Sequence, residues 1–129
     1  MRALAAALAI VAVSIPAASQ KKPKPPDVQI IEARAHRGDG KILMDGRIRV
    51  TAEKPLRGLV LVFDLISPEN GVVATKTDRL EEELLEPGEE RAYHSETTEQ
   101  PRAVRFQVRA FDRAEGELRV ANAGPFPIE

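Results

Sequence analysis

There is no cysteine in this chain of 129 residues. That excludes a disulfide framework, a thiol nucleophile, a cysteine-bound metal and a lipid-modified cysteine anchor. Tryptophan is missing too, and aromatic residues make up only 4% of the chain, so stacking platforms for sugars or bases are poorly supplied. Charge of one sign is also lacking: 19 basic residues oppose 20 acidic ones, for a formal net charge of −1. The basic residues are mostly arginine and are interspersed with acids, a solvated mixed-charge surface rather than the footprint of a nucleic-acid binder. No apolar run approaches the roughly 20 strongly hydrophobic residues of a spanning helix.

What is present begins with a targeting pattern. Arg2 gives a short positive start, Ala3 to Val13 form an alanine-dominated apolar stretch, Pro16 breaks it, and Ala17-Ala18-Ser19 offers small residues for cleavage. This is a secretory signal layout over residues 1–19, with Gln20 as the expected mature N-terminus and a periplasmic or secreted location. Lys21, Lys22 and Lys24 place positive charge after the apolar stretch, which argues for a retained anchor; the short stretch and the small-residue site favour cleavage. Residues 20–27, with Pro23, Pro25 and Pro26 among lysines, form an extended polyproline spacer.

From Val28 onward the pattern is that of seven strands, expected to form a single β-sandwich over residues 28–123. The first, Val28 to Ala35, contains adjacent Ile30 and Ile31, which means either a bulge or burial on both faces. Gly38 and Gly40 suit the hairpin that follows. In the second strand, Lys41 to Ala52, Ile42, Met44, Gly46, Ile48 and Val50 share one face, so a one-residue slip would expose every apolar group. The third, Gly58 to Ile66, is apolar on both faces apart from Asp64, which places it centrally and asks for cover on its second side. A neighbouring arginine across the sheet is the expected partner of Asp64. Asn70-Gly71 reads as a tight hairpin leading to a short fourth strand at an edge, Val72 to Thr77. Arg79 to Leu85 admits one helical turn, but an extended segment leading to the Glu86-Pro87-Gly88-Glu89 turn fits its neighbours better. The fifth strand is Arg91 to Thr97, and the sixth, Ala103 to Asp112, buries Val104, Phe106, Val108 and Ala110. The seventh is Glu117 to Ala121, and residues 124–129 form a tail that proline keeps out of a central ladder.

Seven strands at this spacing point to an all-β, antiparallel, immunoglobulin-like sandwich without the cysteine and tryptophan hallmarks of antibody domains. Gly46-Arg47-Ile48-Arg49-Val50-Thr51, then Pro55 through Asp64, then Asn70-Gly71-Val72-Val73-Ala74, then Leu85-Glu86-Pro87-Gly88-Glu89 resemble the FxLYD domain. The resemblance runs from about Asp45 to Asp112, with Thr51 standing where that family usually has asparagine and Tyr93 where it has phenylalanine. It implies a small immunoglobulin-like module of exported bacterial and archaeal proteins, often beside membrane or secretion segments, and it implies no catalytic residues.

Residues able to carry chemistry are sparse. His36 and His94 are far apart and lack a metal-ligand spacing; a zinc site would need them to meet Asp39 or Glu96 in space. Ser14, Ser19, Ser67 and Ser95 lack a nucleophile elbow. His94 and Ser95 are strand neighbours and point to opposite faces, so they do not form a base–nucleophile pair. Glu81-Glu82-Glu83 with Glu86, Glu89 and Glu90 reads as a solvated acidic loop without calcium-ligand spacing. Arg37-Gly38-Asp39 matches an integrin-binding tripeptide but is also sound hairpin chemistry. No catalytic, cofactor-binding or metal-ligating residue is therefore assigned, and no cofactor. The sequence leads to an exported, non-enzymatic module that contacts a protein partner at the cell envelope, through a strand edge or end loops. The alternative is a small metal- or ligand-binding periplasmic protein using His36, His94 and the acidic segment.

Overall fold

The period-two pattern of residues 41–50 produces the strand around which one half of the molecule is built. The structure, a computed structural model, describes residues 25–114 and 116–129; the expected signal segment 1–19 and residues 20–24 of the spacer lie outside them. Among the described residues there are nine strands: β1 (Val28–Gly38), β2 (Lys41–Val50), β3 (Leu56–Ile66), β4 (Val72–Leu85), β5 (Glu90–Thr98), β6 (Arg105–Asp112), β7 (Gly116–Glu117), β8 (Val120–Ala121) and β9 (Phe126–Pro127). None of these residues is helical.

The strands form two sheets, one ordered β5-β2-β1-β8 and the other β4-β3-β6-β7 with β9 also pairing β6. All pairings are antiparallel except β8 with β1. β2 buries Ile42, Met44, Ile48 and Val50 and turns Lys41, Arg47 and Arg49 to solvent. Those side chains meet Leu59, Leu61, Phe63 and Leu65 of β3 and Phe106, Val108 and Ala110 of β6 in one shared core. Each large aliphatic or aromatic group buried this completely contributes about 1.5–3 kcal/mol relative to exposure, so the core between the sheets is the main source of stability.

Tyr93 enters this core from β5, its ring centroid 5.5 Å from that of Phe63. A β-bulge falls between Ile30 and Glu32 in β1, which settles the Ile30-Ile31 ambiguity in favour of the extra residue. The Tyr93 hydroxyl donates to the Glu32 carbonyl at 3.1 Å. Gly46 leaves room for this contact: a Cβ there would lie 2.0 Å from the Glu32 oxygen and 2.5 Å from the tyrosine hydroxyl. The polar tip of the aromatic group thus satisfies a carbonyl in the disrupted ladder.

Several elements differ from the sequence expectation. The β1–β2 hairpin takes its positive φ values at Asp39 (53°) and Gly40 (74°), while Gly38 stays in the strand. This is the two-residue Asp-Gly hairpin whose twist suits the flanking strands. At Asn70-Gly71 only Asn70 is left-handed (φ 71°), and the loop is wider, with Ser67 N–H donating to the Gly71 carbonyl at 2.8 Å. The fourth strand is 14 residues long rather than short, because the Arg79 to Leu85 segment continues the ladder with β3 through bulges. The expected seventh strand is split. Gly116–Glu117 joins β6 in one sheet and Val120–Ala121 joins β1 in the other.

The proline-flanked end is part of the sandwich as well. Phe126 pairs with Phe106, their rings 5.3 Å apart. Glu129 then crosses to the other sheet, donating to the Ala35 carbonyl at 2.9 Å and accepting from Arg37 N–H at 3.1 Å. One lateral side, between β1 and β6, is closed by this segment. On the opposite side β4 and β5 are the terminal strands of their sheets, and among the described residues each leaves one row of backbone groups without a neighbouring strand.

Candidate functional site

The strongest polar constellation lies on the outer face of the five-stranded sheet. Alternation along β3 sends Val60, Val62, Asp64 and Ile66 to that face. Asp64 is only 3% exposed, and a buried carboxylate at a sheet centre requires partners. It has them. Arg109 donates from Nε to Oδ2 at 2.7 Å and from Nη2 to Oδ1 at 3.0 Å; Gln107 Nε2 donates to Oδ2 at 3.1 Å and Thr75 Oγ1 to Oδ1 at 3.1 Å. Gln107 is its register partner, whereas Arg109 sits opposite Val62 and reaches Asp64 diagonally.

Burial pushes the Asp64 carboxyl upward, but the hydrogen bonds from Arg109, Gln107 and Thr75 and the guanidinium charge outweigh it and hold the carboxyl below its ordinary range. The same contact holds Arg109 more firmly protonated. An ionised carboxylate has about four acceptor positions, and all are taken here. Such a group neither shuttles a proton nor attacks a substrate; it ties three strands together. Arg109 also lies over Phe111, 5.7 Å from its centroid. The cover that β3 needs on its second face is therefore supplied by side chains of β4 and β6 in the same sheet.

The histidines do not converge. His36 and His94 both lie on the outer face of the other sheet, on β1 and β5, with β2 between them. Two strand spacings put them about 10 Å apart at closest, and Asp39 is in the hairpin turn. His94 Nε2 is 3.5 Å from Glu96 Oε2 on the same strand. Among the described residues no group of three or more His, Cys, Asp or Glu side chains is placed to hold a metal ion. Ser95 is buried opposite His94 and donates its hydroxyl to Asp78, a link between the two terminal strands β5 and β4. Ser67 accepts from Gly71 N–H at 3.2 Å, while Ser14 and Ser19 lie outside the described residues.

Arg37 is engaged internally: Nε donates to Glu99 Oε2 at 2.8 Å, and Nη2 donates to the carbonyls of Gln100, at 3.0 Å, and Ala103. The tripeptide it begins therefore does not present a free guanidinium. The acidic segment is not a loop, since Glu81 to Glu83 belong to β4. Val72 (56% exposed) and Leu84 (42%), exposed large hydrophobic residues among those described, stand at the two ends of that strand. A shallow cleft of about 380 Å³ opens where the chain enters the fold, floored by Ala52, Leu56 and Leu118 and walled by Pro25, Pro26 and Pro55. Its Asp27 carboxylate accepts Arg119 N–H at 3.0 Å, and Glu53 and Lys54 also line it. The Asp64 clamp was partly legible as a lone carboxylate in an apolar run; the contributions of Thr75 and Gln107 carried no sequence signal.

The chain matches no known family profile and no curated protein sequence. Solved structures do resemble it. Two structures of Bacteroides uniformis β-glucuronidase, one of them of β-glucuronidase 2 covalently bound to cyclophellitol-6-carboxylate aziridine, align with TM-scores of 0.55 at 14% identity. A calcium-binding mutant of the same β-glucuronidase 2 aligns at 0.54 and 16%. Each alignment covers 74% of this chain and only 14% of the enzyme. At such identities the likeness concerns the fold: an all-β sandwich of this size, which in those enzymes is a small part of a much longer chain. No helix among the described residues is long and apolar enough to cross a membrane.

Proposed function

We propose that this chain is an exported, immunoglobulin-like β-sandwich module of the FxLYD type, which makes protein–protein contacts at the cell envelope and catalyses no reaction of its own. The observation that carries the reading is the asymmetry of the two lateral sides. The C-terminal segment occupies one side with backbone hydrogen bonds to both sheets, while the other presents the 14-residue edge of β4. A long free edge is a template for a further strand, and exposed Val72 and Leu84 mark its two ends. The strand order supports the immunoglobulin-like assignment, with β1, β2 and β5 in one sheet and β4, β3 and β6 in the other. The signal layout of residues 1–19 supports export.

Chemical cross-linking in envelope extracts tests this role. The wild-type protein is expected to capture a reproducible protein partner, and Val72→Ser with Leu84→Ser to lose most of it while remaining folded. Recovery of no partner across several conditions, or full retention by the double variant, would contradict the reading.

A further inference from the structure

The two strands that end their sheets on the open side are built differently. β4 is bulged: its register against β3 shifts at three places, and bulges blunt an edge. β5 is regular. Its nine residues pair with β2 from Thr98 opposite Lys41 to Glu90 opposite Arg49 without a shift. They include neither proline nor lysine, the residues that commonly protect an edge. The direction of its backbone groups follows from its two ends. Glu99 N–H donates to the Gly40 carbonyl at 2.9 Å, and the Glu89 carbonyl accepts Val50 N–H at 2.8 Å. Backbone groups alternate in direction along a strand. The odd-numbered residues therefore face β2, while Ala92, His94, Glu96 and Thr98 aim their N–H and C=O groups outward. These four residues are also exposed.

We propose that β5 is a self-pairing edge, through which two copies of this chain join their four-stranded sheets into one by antiparallel pairing of β5 with β5. The inference goes beyond the contact role, which is assigned to β4. A two-fold axis makes such an interface isologous, and only outward-facing residues exchange hydrogen bonds across it, so even-numbered residues must oppose even-numbered ones. Charge then selects the register, because like charges directly opposite are destabilising and opposite charges favourable. Centred on Tyr93, the pairing sets Glu96 against Glu90 of the second copy; centred on Glu96, it sets that carboxylate against its own copy. Centring on Ala92 or Thr97 pairs fewer of the outward residues. Centring on His94 sets two imidazoles together. Centred on Ser95, the pairing sets His94 against Glu96 of the second copy, twice, and Ala92 against Thr98, twice. An imidazole N–H then faces a carboxylate acceptor at both positions. Hydrogen bonds from Lys41, at 2.9 Å, and His94 hold the Glu96 carboxyl below its ordinary range, so it is present as the anion. The inner side of this seam carries uncharged Tyr93, Ser95 and Thr97. Asp78, to which Ser95 donates, has the Lys76 ammonium 3.8 Å away.

Sedimentation equilibrium of the purified full chain over a range of concentrations tests the pairing, joined to residue-level amide exchange. A dimer that dissociates on dilution is expected. The amides of Ala92, His94, Glu96 and Thr98 should be protected only where the dimer is populated, and those of Tyr93, Ser95 and Thr97 at every concentration. Ala92→Pro removes an N–H that bonds across the seam alone, so it should leave a folded monomer. His94→Glu, which sets carboxylate against carboxylate, gives a second disrupting variant if proline unfolds the strand. His94→Lys should tighten the dimer by roughly threefold or more in the register centred on Ser95, and would weaken it in the one centred on His94. Val72→Ser with Leu84→Ser, on β4, should stay dimeric. A chain that is monomeric at every concentration overturns the inference and leaves the β4 contact role standing. So does a dimer in which the four outward amides exchange as freely as in the monomer, one that survives His94→Glu and a folded Ala92→Pro, or one that His94→Lys disrupts.

Discussion

Replacing Arg109 by alanine tests the clamp on the outer face of the five-stranded sheet, because it leaves the Asp64 carboxylate in place and takes away its cation. Two of the four hydrogen bonds to Asp64 go with it, leaving Gln107 and Thr75. Breaking a buried pair in this way costs about 3–5 kcal/mol. The Arg109 side chain is 40% exposed and Asp64 only 5%, so water can reach the vacated position. We therefore expect the lower end of that range, about 3 kcal/mol at neutral pH. The pH dependence is the sharper signature. With Arg109 present the folded carboxyl titrates below its unfolded value of 3.8, so the clamp contributes fully above that pH and weakens as pH falls through the folded pKa. Without Arg109 burial dominates, and the folded carboxyl titrates above its unfolded value. The variant then has its largest deficit when the carboxyl is charged, and the deficit shrinks as the pH is lowered toward about 4. Urea denaturation of both proteins between neutral pH and about pH 4 reads this directly. A deficit below about 1 kcal/mol, in the range of exposed ion pairs, or one that does not change with pH, would refute the reasoning.

Phe106 is fully buried, and Phe106→Ala is expected to cost about 3–5 kcal/mol on chemical denaturation; a loss under about 1 kcal/mol would remove it from the core. Phe126→Ala, which strips the aromatic contact from the C-terminal segment, should cost about 2 kcal/mol in the same assay. Tyr93→Phe leaves the Glu32 carbonyl without its hydroxyl donor and should destabilise by about 1–3 kcal/mol. Gly46→Ala should be more severe than Tyr93→Phe, since its Cβ meets backbone as well as the hydroxyl.

The two central strands were legible in the sequence for a physical reason. In β2 the apolar period of two leaves one register that buries Ile42, Met44, Ile48 and Val50 together, and in β3 a run from Leu59 to Ile66 that is apolar on both faces apart from Asp64 asks for a central position. Asp64 announced that it needed an arginine. Which one depends on the β3–β6 register, since Arg109 reaches it diagonally from opposite Val62. The end of the chain was not legible. Residues 116–129 switch between sheets, and what fixes them is hydrogen bonding to β1 and β6, far away in sequence. Local proline content says only that such a segment avoids a central ladder. The length of β4 was missed because its bulges break the alternation that marks a strand.

Residue-level amide hydrogen exchange on the isolated domain tests the central claim, that one side of the sandwich is closed by its own chain and the other is open. The account predicts slow exchange at Arg37 and Glu129, whose amides are bonded across the closed side, and fast exchange at alternate amides along β4. Uniform protection along β4 with free exchange at Arg37 and Glu129 would contradict it.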